Sequence, residues 1–198
     1  MPPELIDLSP PTRGALPAVT TARLHLRRPL PDDLDALAAV FEQEAVWHWP
    51  FRRGRTREET AAFLDRTVRH WDTLGYGLWL VVDLAAGRVV GYAGLSVPAF
   101  LPEILPAAEV GWRLEPAVWG RGYATEAATA ALDEAFSTLG LAEVCSLPEP
   151  GNVASVRVCE RLGMRRDRIY AVAPAPGRAA VEALQFLLGP AEWEARSP

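Results

Sequence analysis

The stretch Trp119-Gly120-Arg121-Gly122-Tyr123-Ala124-Thr125-Glu126-Ala127 decides the fold. Before it, residues 108–114 alternate Glu109, Gly111 and Arg113 with Val110, Trp112 and Leu114, and Pro116 closes the segment. That period of two predicts a strand. After it, small residues (Ala124, Ala127, Ala128, Ala131, Ala135) predict a helix over 122–139 able to approach a sheet closely and stopped by Gly140. Between strand and helix, glycines let the backbone turn so that successive N–H groups point outward, and the helix N-terminus adds about half a positive charge. Such a turn is a phosphate cradle. No Gly-Lys-Ser/Thr follows as in a P-loop, and no acidic residue ends a second strand as in a dinucleotide fold, so a simple nucleotide site is disfavoured.

A second block lies about thirty residues on: Asn152-Val153-Ala154-Ser155-Val156-Arg157-Val158-Cys159-Glu160-Arg161-Leu162-Gly163-Met164. It reads as a helix with Asn152 as N-cap, Gly163 at the C-terminal stop, and Val156, Cys159 and Leu162 as a buried stripe. A strand over 142–147 separates the two blocks, and strands over 166–172 and 181–188 follow. Upstream, alternation over 22–28 predicts a first strand. Asp32 is expected to cap one helix running to Ala45, and the Thr56 to Glu59 capping box opens another that ends at Gly75. Residues 78–82 and 89–97 read as a hairpin. The order is mixed α/β.

In combination the two blocks resemble the acetyltransferases of the GNAT superfamily. Gly122 and Ala124 match the end of its acetyl-CoA loop pattern. Trp119 departs from the usual Gln or Arg at the start of that pattern, but a tryptophan there is similar to the RimJ/RimL-type branch. The opening Thr21-Ala22-Arg23-Leu24-His25-Leu26-Arg27 also resembles that branch, so the likeness runs over 20–188. It implies a mixed, mostly antiparallel sheet of about six to seven strands flanked by about four helices, splayed where two neighbouring strands part to admit the cofactor.

The resemblance further implies acetyl-CoA (coenzyme A) as acyl donor and direct transfer to a primary amine. Its pyrophosphate is expected on the N–H groups of Trp119, Gly120, Arg121, Gly122, Tyr123, Ala124 and Thr125. Pantetheine is expected along Trp112, Arg113 and Leu114, with Asn152 and Arg157 also on the cofactor, and an N–H of Arg113 or Leu114 polarising the thioester carbonyl. Catalytic roles fall to Glu109, which takes the ammonium proton directly or through water, and to Ser155, which protonates the departing sulfur. Each has an ordinary structural alternative, Glu109 as a solvated or paired strand residue and Ser155 as a packing residue. Trp47, Trp49 and Phe100 are the substrate-side candidates, with aromatic packing under long loops as their alternative. The acceptor is a protein N-terminal amino group or a small amine of antibiotic, polyamine or amino-acid type. A non-catalytic acyl-CoA sensor is the alternative from another class.

Composition sets the remaining bounds. A length of 198 residues with 49 % hydrophobic and 23 % charged residues fits one domain with one core, expected over 20–198 behind a proline-rich leader over 1–19. A formal charge of −5 argues against a nucleic-acid partner and accords with a cationic amine. No apolar run approaches the roughly 20 residues that span a bilayer, so a cytoplasmic protein without a membrane partner is expected. Cys145 and Cys159 have neither disulfide nor metal spacing, so no metal is expected, and neither has a local histidine to make it a nucleophile. Dimers are frequent in the branch, which leaves a homodimer open.

Overall fold

The computed structural model describes residues 16–196. The strands are β1 (Val19–Thr20), β2 (Leu24–Arg27), β3 (Leu78–Asp83), β4 (Arg88–Ser96), β5 (Ala108–Leu114), β6 (Val144–Ser146), β7 (Arg165–Val172) and β8 (Val181–Leu188). The helices are α1 (Leu34–Phe41), α2 (Glu44–Phe51), α3 (Arg57–Leu74), α4 (Tyr123–Ser137), α5 (Val153–Arg161) and α6 (Pro190–Glu194). One sheet takes all eight strands in the order β1-β2-β3-β4-β5-β6-β8-β7. Every pairing is antiparallel except β5 with β6.

This is the mixed, mostly antiparallel class read from the sequence, with more elements than the six to seven strands and four helices expected. Two of the additions, β1 and α6, are too short to show a hydrophobic period. A third difference divides an expected helix. The segment after Pro31 breaks at Gln43, whose ψ of 118° is extended, and α2 restarts beyond it with non-helical dihedrals at Trp47 and Trp49 and with Pro50 inside. Asp32 does not cap it: Asp33 stands before α1, and its carboxylate accepts the Leu30 N–H and both Arg27 terminal nitrogens. The capping box of α3 forms as read, Thr56 Oγ1 accepting the Glu59 N–H and Glu59 accepting the Thr56 N–H.

The larger core joins the sheet to α4, with Leu24, Leu26, Trp79, Val110 and Leu114 against Ala127, Ala128, Ala131 and Leu132. Alanines on that face of α4 let the helix axis come close to β4 and β5, which carries the turn before α4 to the end of β5. A second cluster packs Leu37, Val40, Phe41, Trp47 and Leu64 from α1, α2 and α3 against Leu80 and Val89. Each fully buried leucine contributes about 1.5–3 kcal/mol relative to an exposed one. Ordered packing starts upstream of the expected residue 20, since Leu16 is buried and its N–H donates to Gly75 O at 2.7 Å. The rest of the expected leader, 1–15, lies outside the described residues. Among the described residues no helix is long and apolar enough to cross a membrane.

Gly91 is required by the neighbouring strand. It has φ +143°, and a Cβ there would stand 2.0 Å from Arg113 O. The close approach of β4 to β5 on which the site depends therefore needs a residue without a side chain.

Candidate active site

β5 and β6 pair only through Ala108↔Val144 and Glu109↔Cys145, after which the two strands part. β5 keeps its partner β4 on the other edge as far as Leu114↔Gly91, and the Glu115 N–H donates to Val90 O at 2.9 Å. Antiparallel pairing alternates bonded and non-bonded residues, so Arg113 spends its main-chain groups on β4 while those of Trp112 and Leu114 face the gap. Leu114 O is held there by the Trp119 indole N–H at 2.7 Å. A cavity of about 1110 Å³ fills the gap and extends to the loops around it.

The cradle forms at the near end of that cavity. Gly122, at φ 80° and ψ 6°, is the N-cap of α4, and this left-handed conformation is what the glycine supplies. The first helical bond runs from the Glu126 N–H to Gly122 O. Six successive N–H groups, Gly120 through Thr125, donate to no acceptor among the described residues, whereas the Trp119 N–H is used on Pro116 O. Unsatisfied donors with the positive end of a fifteen-residue helix behind them make an anion site.

Its position is fixed from the turn between β1 and β2. Glu126 accepts from Thr21 Oγ1 (2.6 Å), the Arg23 N–H (2.9 Å) and Arg23 Nε (2.6 Å), and Arg23 also donates to Arg121 O. Burial opposes the Glu126 charge, yet these bonds prevail and hold its carboxyl below the usual range. On the other side, Tyr123 OH reaches Asp83, whose second oxygen accepts the Ala85 and Ala86 N–H groups.

Glu109 lines the inner end, where β5 and β6 are still paired. Burial pushes its carboxyl up to about 7, against the lowering effects of the Arg113 charge and a Ser96 hydrogen bond. Such a group is a carboxylic acid just below neutrality and a carboxylate just above it. Ser155 and Asn152 line the opposite arm, and Asn152 Oδ1 accepts the Ser155 N–H at 3.2 Å, so Asn152 is the N-cap of α5 as well as a wall residue. Burial raises the Cys145 thiol above its ordinary range and the Cys159 thiol to about 12, which leaves both protonated at neutral pH and poor nucleophiles.

Of the residues singled out by sequence, the cavity brings together Glu109, Ser155, Trp112, Arg113, Leu114, Trp119, Gly120, Gly122, Tyr123, Ala124, Thr125, Asn152, Arg157, Trp49 and Phe100. Three of the residues singled out by sequence have side chains placed outside the cofactor path. Trp47 is 3 % exposed and belongs to the core beneath α2, not to the cavity wall. The Arg121 side chain lies over the Tyr123 ring at 4.9 Å, while its main-chain N–H remains one of the six unused donors of the turn. Arg113 faces the cavity, but its side chain serves α2: Nη1 donates to Val46 O (2.6 Å) and Trp49 O (2.8 Å), Nε reaches Tyr92 OH (3.2 Å), and the guanidinium lies 3.8 Å over the Trp47 ring.

Sequence reasoning missed how α2 crosses the gap. Beyond its hold on β5 it reaches the loop before α5: Arg52, stacked at 4.0 Å on Trp49, pairs with Glu149 at 2.9 Å, and Trp49 packs so closely on Gly151 that a Cβ there would stand 2.8 Å from the ring. Gly111 was read only as a member of the β5 alternation. It lies between Glu109 and Arg113 on the cavity wall, and a Cβ would meet nothing within 4 Å, so the sheet face is left bare beside Glu109.

Comparison with known proteins accords with this geometry. The acetyltransferase (GNAT) domain family matches residues 23–165. The uncharacterized protein YkkB of Bacillus subtilis (strain 168) is 34 % identical over 114 residues, which is 58 % of this chain and 65 % of that protein's length. The crystal structure of an acetyltransferase from Agrobacterium tumefaciens str. C58 superposes with a TM-score of 0.70 at 27 % identity, covering 88 % of this chain and 95 % of the other. The ribosomal-protein-S5-alanine acetyltransferase of Vibrio fischeri shares the fold at 18 % identity with a TM-score of 0.70, over 91 % of this chain and 99 % of its own.

Proposed function

The chain belongs to the acetyltransferase (GNAT) family, and from that premise we propose that it transfers an acetyl group from acetyl-CoA directly to a primary amine. The observation that carries the reading is the run of six unused N–H groups from Gly120 to Thr125, opening onto the same cavity that holds Glu109. Acetyl-CoA supplies the acetyl group on a thioester and a diphosphate by which it can be held. The cradle fits that diphosphate in charge and in donor count, and the free edge of β5 fits an amide-bearing arm.

The chain's own residues then divide the work. The N–H groups of Gly120 to Thr125 bind the diphosphate, and Arg157 on the exposed face of α5 adds positive charge beside it. Trp112 and Leu114 present main-chain groups to the pantetheine arm. The Leu114 N–H, not that of Arg113, polarises the thioester carbonyl, because Arg113 spends its main-chain N–H on β4. Glu109, with its carboxyl near 7, takes the proton that an ammonium acceptor must lose before it can attack. Ser155 donates its hydroxyl proton to the sulfur as it leaves, and the Asn152 cap holds Ser155 in place.

The acceptor enters between α2, the loop around Phe100 and the β7–β8 hairpin, where Trp49 and Phe100 form an aromatic rim. We carry the acceptor one step further, to the N-terminal amino group of a protein, because Phe100 is 48 % exposed at this mouth and offers a surface to a chain end. Cytoplasmic location and a RimJ/RimL-like place in the family go with this reading.

Calorimetry with acetyl-CoA on the wild type and on Gly122→Trp tests the donor half. Micromolar binding lost in a folded variant supports it, and no binding by the folded wild type removes it. Mass spectrometry tests the acceptor half: an N-terminal acetyl mark on a cellular protein should vanish on deletion of the gene and return with it. A small amine acetylated in place of any protein terminus would overturn that half alone.

A further inference from the structure

We propose that Arg113 is a positioning residue that holds the acceptor-side wall, α2, against the strand carrying Glu109, and that it takes no part in holding acetyl-CoA. The inference rests on the functional reading above for what the wall is for, but its geometry stands independently. Arg113 is two residues beyond the bare Gly111 and four beyond Glu109, on the same face of β5. Its guanidinium donates to two carbonyls of α2, at Val46 and Trp49, and to Tyr92 OH of β4.

Those carbonyls have reason to need a donor from outside. α2 is irregular at Trp47 and Trp49 and contains Pro50, which has no N–H to give. A fork of planar donors suits three acceptors at once, and the point charge of a lysine does not. The contact is also backed from behind. Arg113 and Arg55 both lie 3.8 Å from the Trp47 ring, with Arg55 further flanked by Phe51 at 4.8 Å. Burial among these rings lowers the Arg55 pKa to about 10, still charged at neutrality. Trp47, expected from sequence in the substrate wall, is instead the platform under the residue that fixes that wall.

Arg113 also sends its charge toward Glu109 and so favours the carboxylate. The other groups coupled to Glu109 are Ser96 of β4, Cys145 of β6 and Cys159 of α5, and neither thiol is charged at neutral pH. A positioning role therefore has a signature that packing alone would not produce. Removing the charge must raise the pH at which Glu109 ionises, and keeping the charge without the fork must not.

Arg113→Met and Arg113→Lys test this in the full chain by three measurements, none of which needs the acceptor. Amide hydrogen exchange over 44–51 should quicken at least tenfold in both variants. Carboxyl-carbon NMR titration of Glu109 should move upward in Arg113→Met and stay in place in Arg113→Lys. Acetyl-CoA affinity by calorimetry should change less than threefold in either. A loss of acetyl-CoA affinity beyond tenfold with unchanged exchange over 44–51 would return Arg113 to the cofactor site, and unchanged exchange with an unmoved Glu109 titration overturns the proposal outright. Should the wild type itself not bind acetyl-CoA, the functional reading fails, while exchange and titration still decide the role of Arg113.

Discussion

Replacing Glu109 with glutamine should change the pH dependence of stability by an amount that follows from the site. An ordinary glutamate ionises near 4.5, and burial at the inner end of the cavity moves Glu109 to about 7. Between those values the folded protein holds a proton that the unfolded chain releases, so stability falls as pH rises, and above the folded value the loss is complete. At about 1.36 kcal/mol per pH unit, the full cost of carrying this carboxylate is about 3 kcal/mol, of which about 2–3 kcal/mol falls between pH 5 and pH 8. Glutamine keeps the shape and a hydrogen-bonding group but has no proton to lose. Urea denaturation of wild type and Glu109→Gln at the two pH values isolates the effect, because all other titrating groups cancel in the difference. Glu109→Gln should match the wild type within about 1 kcal/mol at pH 5 and exceed it by about 2–3 kcal/mol at pH 8. An equal difference at both values would mean that the carboxyl is hydrated as on a surface, and the proposed role as a base tuned by burial would fall with it.

Glu126→Ala removes the acceptor of three bonds that tie the cradle to the turn between β1 and β2 and should cost about 1–3 kcal/mol in thermal or urea unfolding. Acetyl-CoA affinity should weaken with it, and unchanged affinity would show that the cradle holds its shape without the tie. Acetyl transfer by the Cys145→Ala, Cys159→Ala double variant, followed by release of the coenzyme A thiol, should stay within about threefold of wild type. Complete loss in a folded protein would point to a covalent acetyl-cysteine and against direct transfer. Binding of acetyl-CoA at one hundred times its Kd should add about 2.7 kcal/mol to stability, and the absence of any thermal shift would remove the ligand altogether.

What could be read in advance was what has a period or a fixed turn chemistry. The alternation over β5, the alanines of α4, the Thr56 to Glu59 box and the Asn152 cap are local patterns, and the structure has each of them where the pattern lies. The irregular α2 was not legible, because its shape comes from donors supplied by Arg113, sixty or more residues away, and from a tryptophan buried between elements that meet only in the folded chain. Trp47 and Trp49 look alike in sequence, two aromatics two residues apart. One became core and the other the rim of a cavity. The contacts of the Arg113 side chain were likewise not legible, since a strand's pattern says which face a residue takes but not what comes to rest on that face. Gly111 stands in the β5 alternation, but the bare sheet face it leaves beside Glu109 shows only once the strand is placed on the cavity wall.

The bond between Glu126 and Arg23 joins residues 103 apart, and that between Glu126 and Thr21 residues 105 apart. A ribosome adding about 5–20 residues per second finishes β2 roughly 5–20 s before the partner that will hold the cradle has been made. During synthesis the turn between β1 and β2 must therefore wait for Glu126, although β1 and β3 can pair with β2 earlier. Closing a loop of that length before any contact rewards it also makes this among the slower events of folding. Affinity for the acyl donor is accordingly a property that the chain acquires late, and a pulse-labelled protein should become compact before it becomes able to bind.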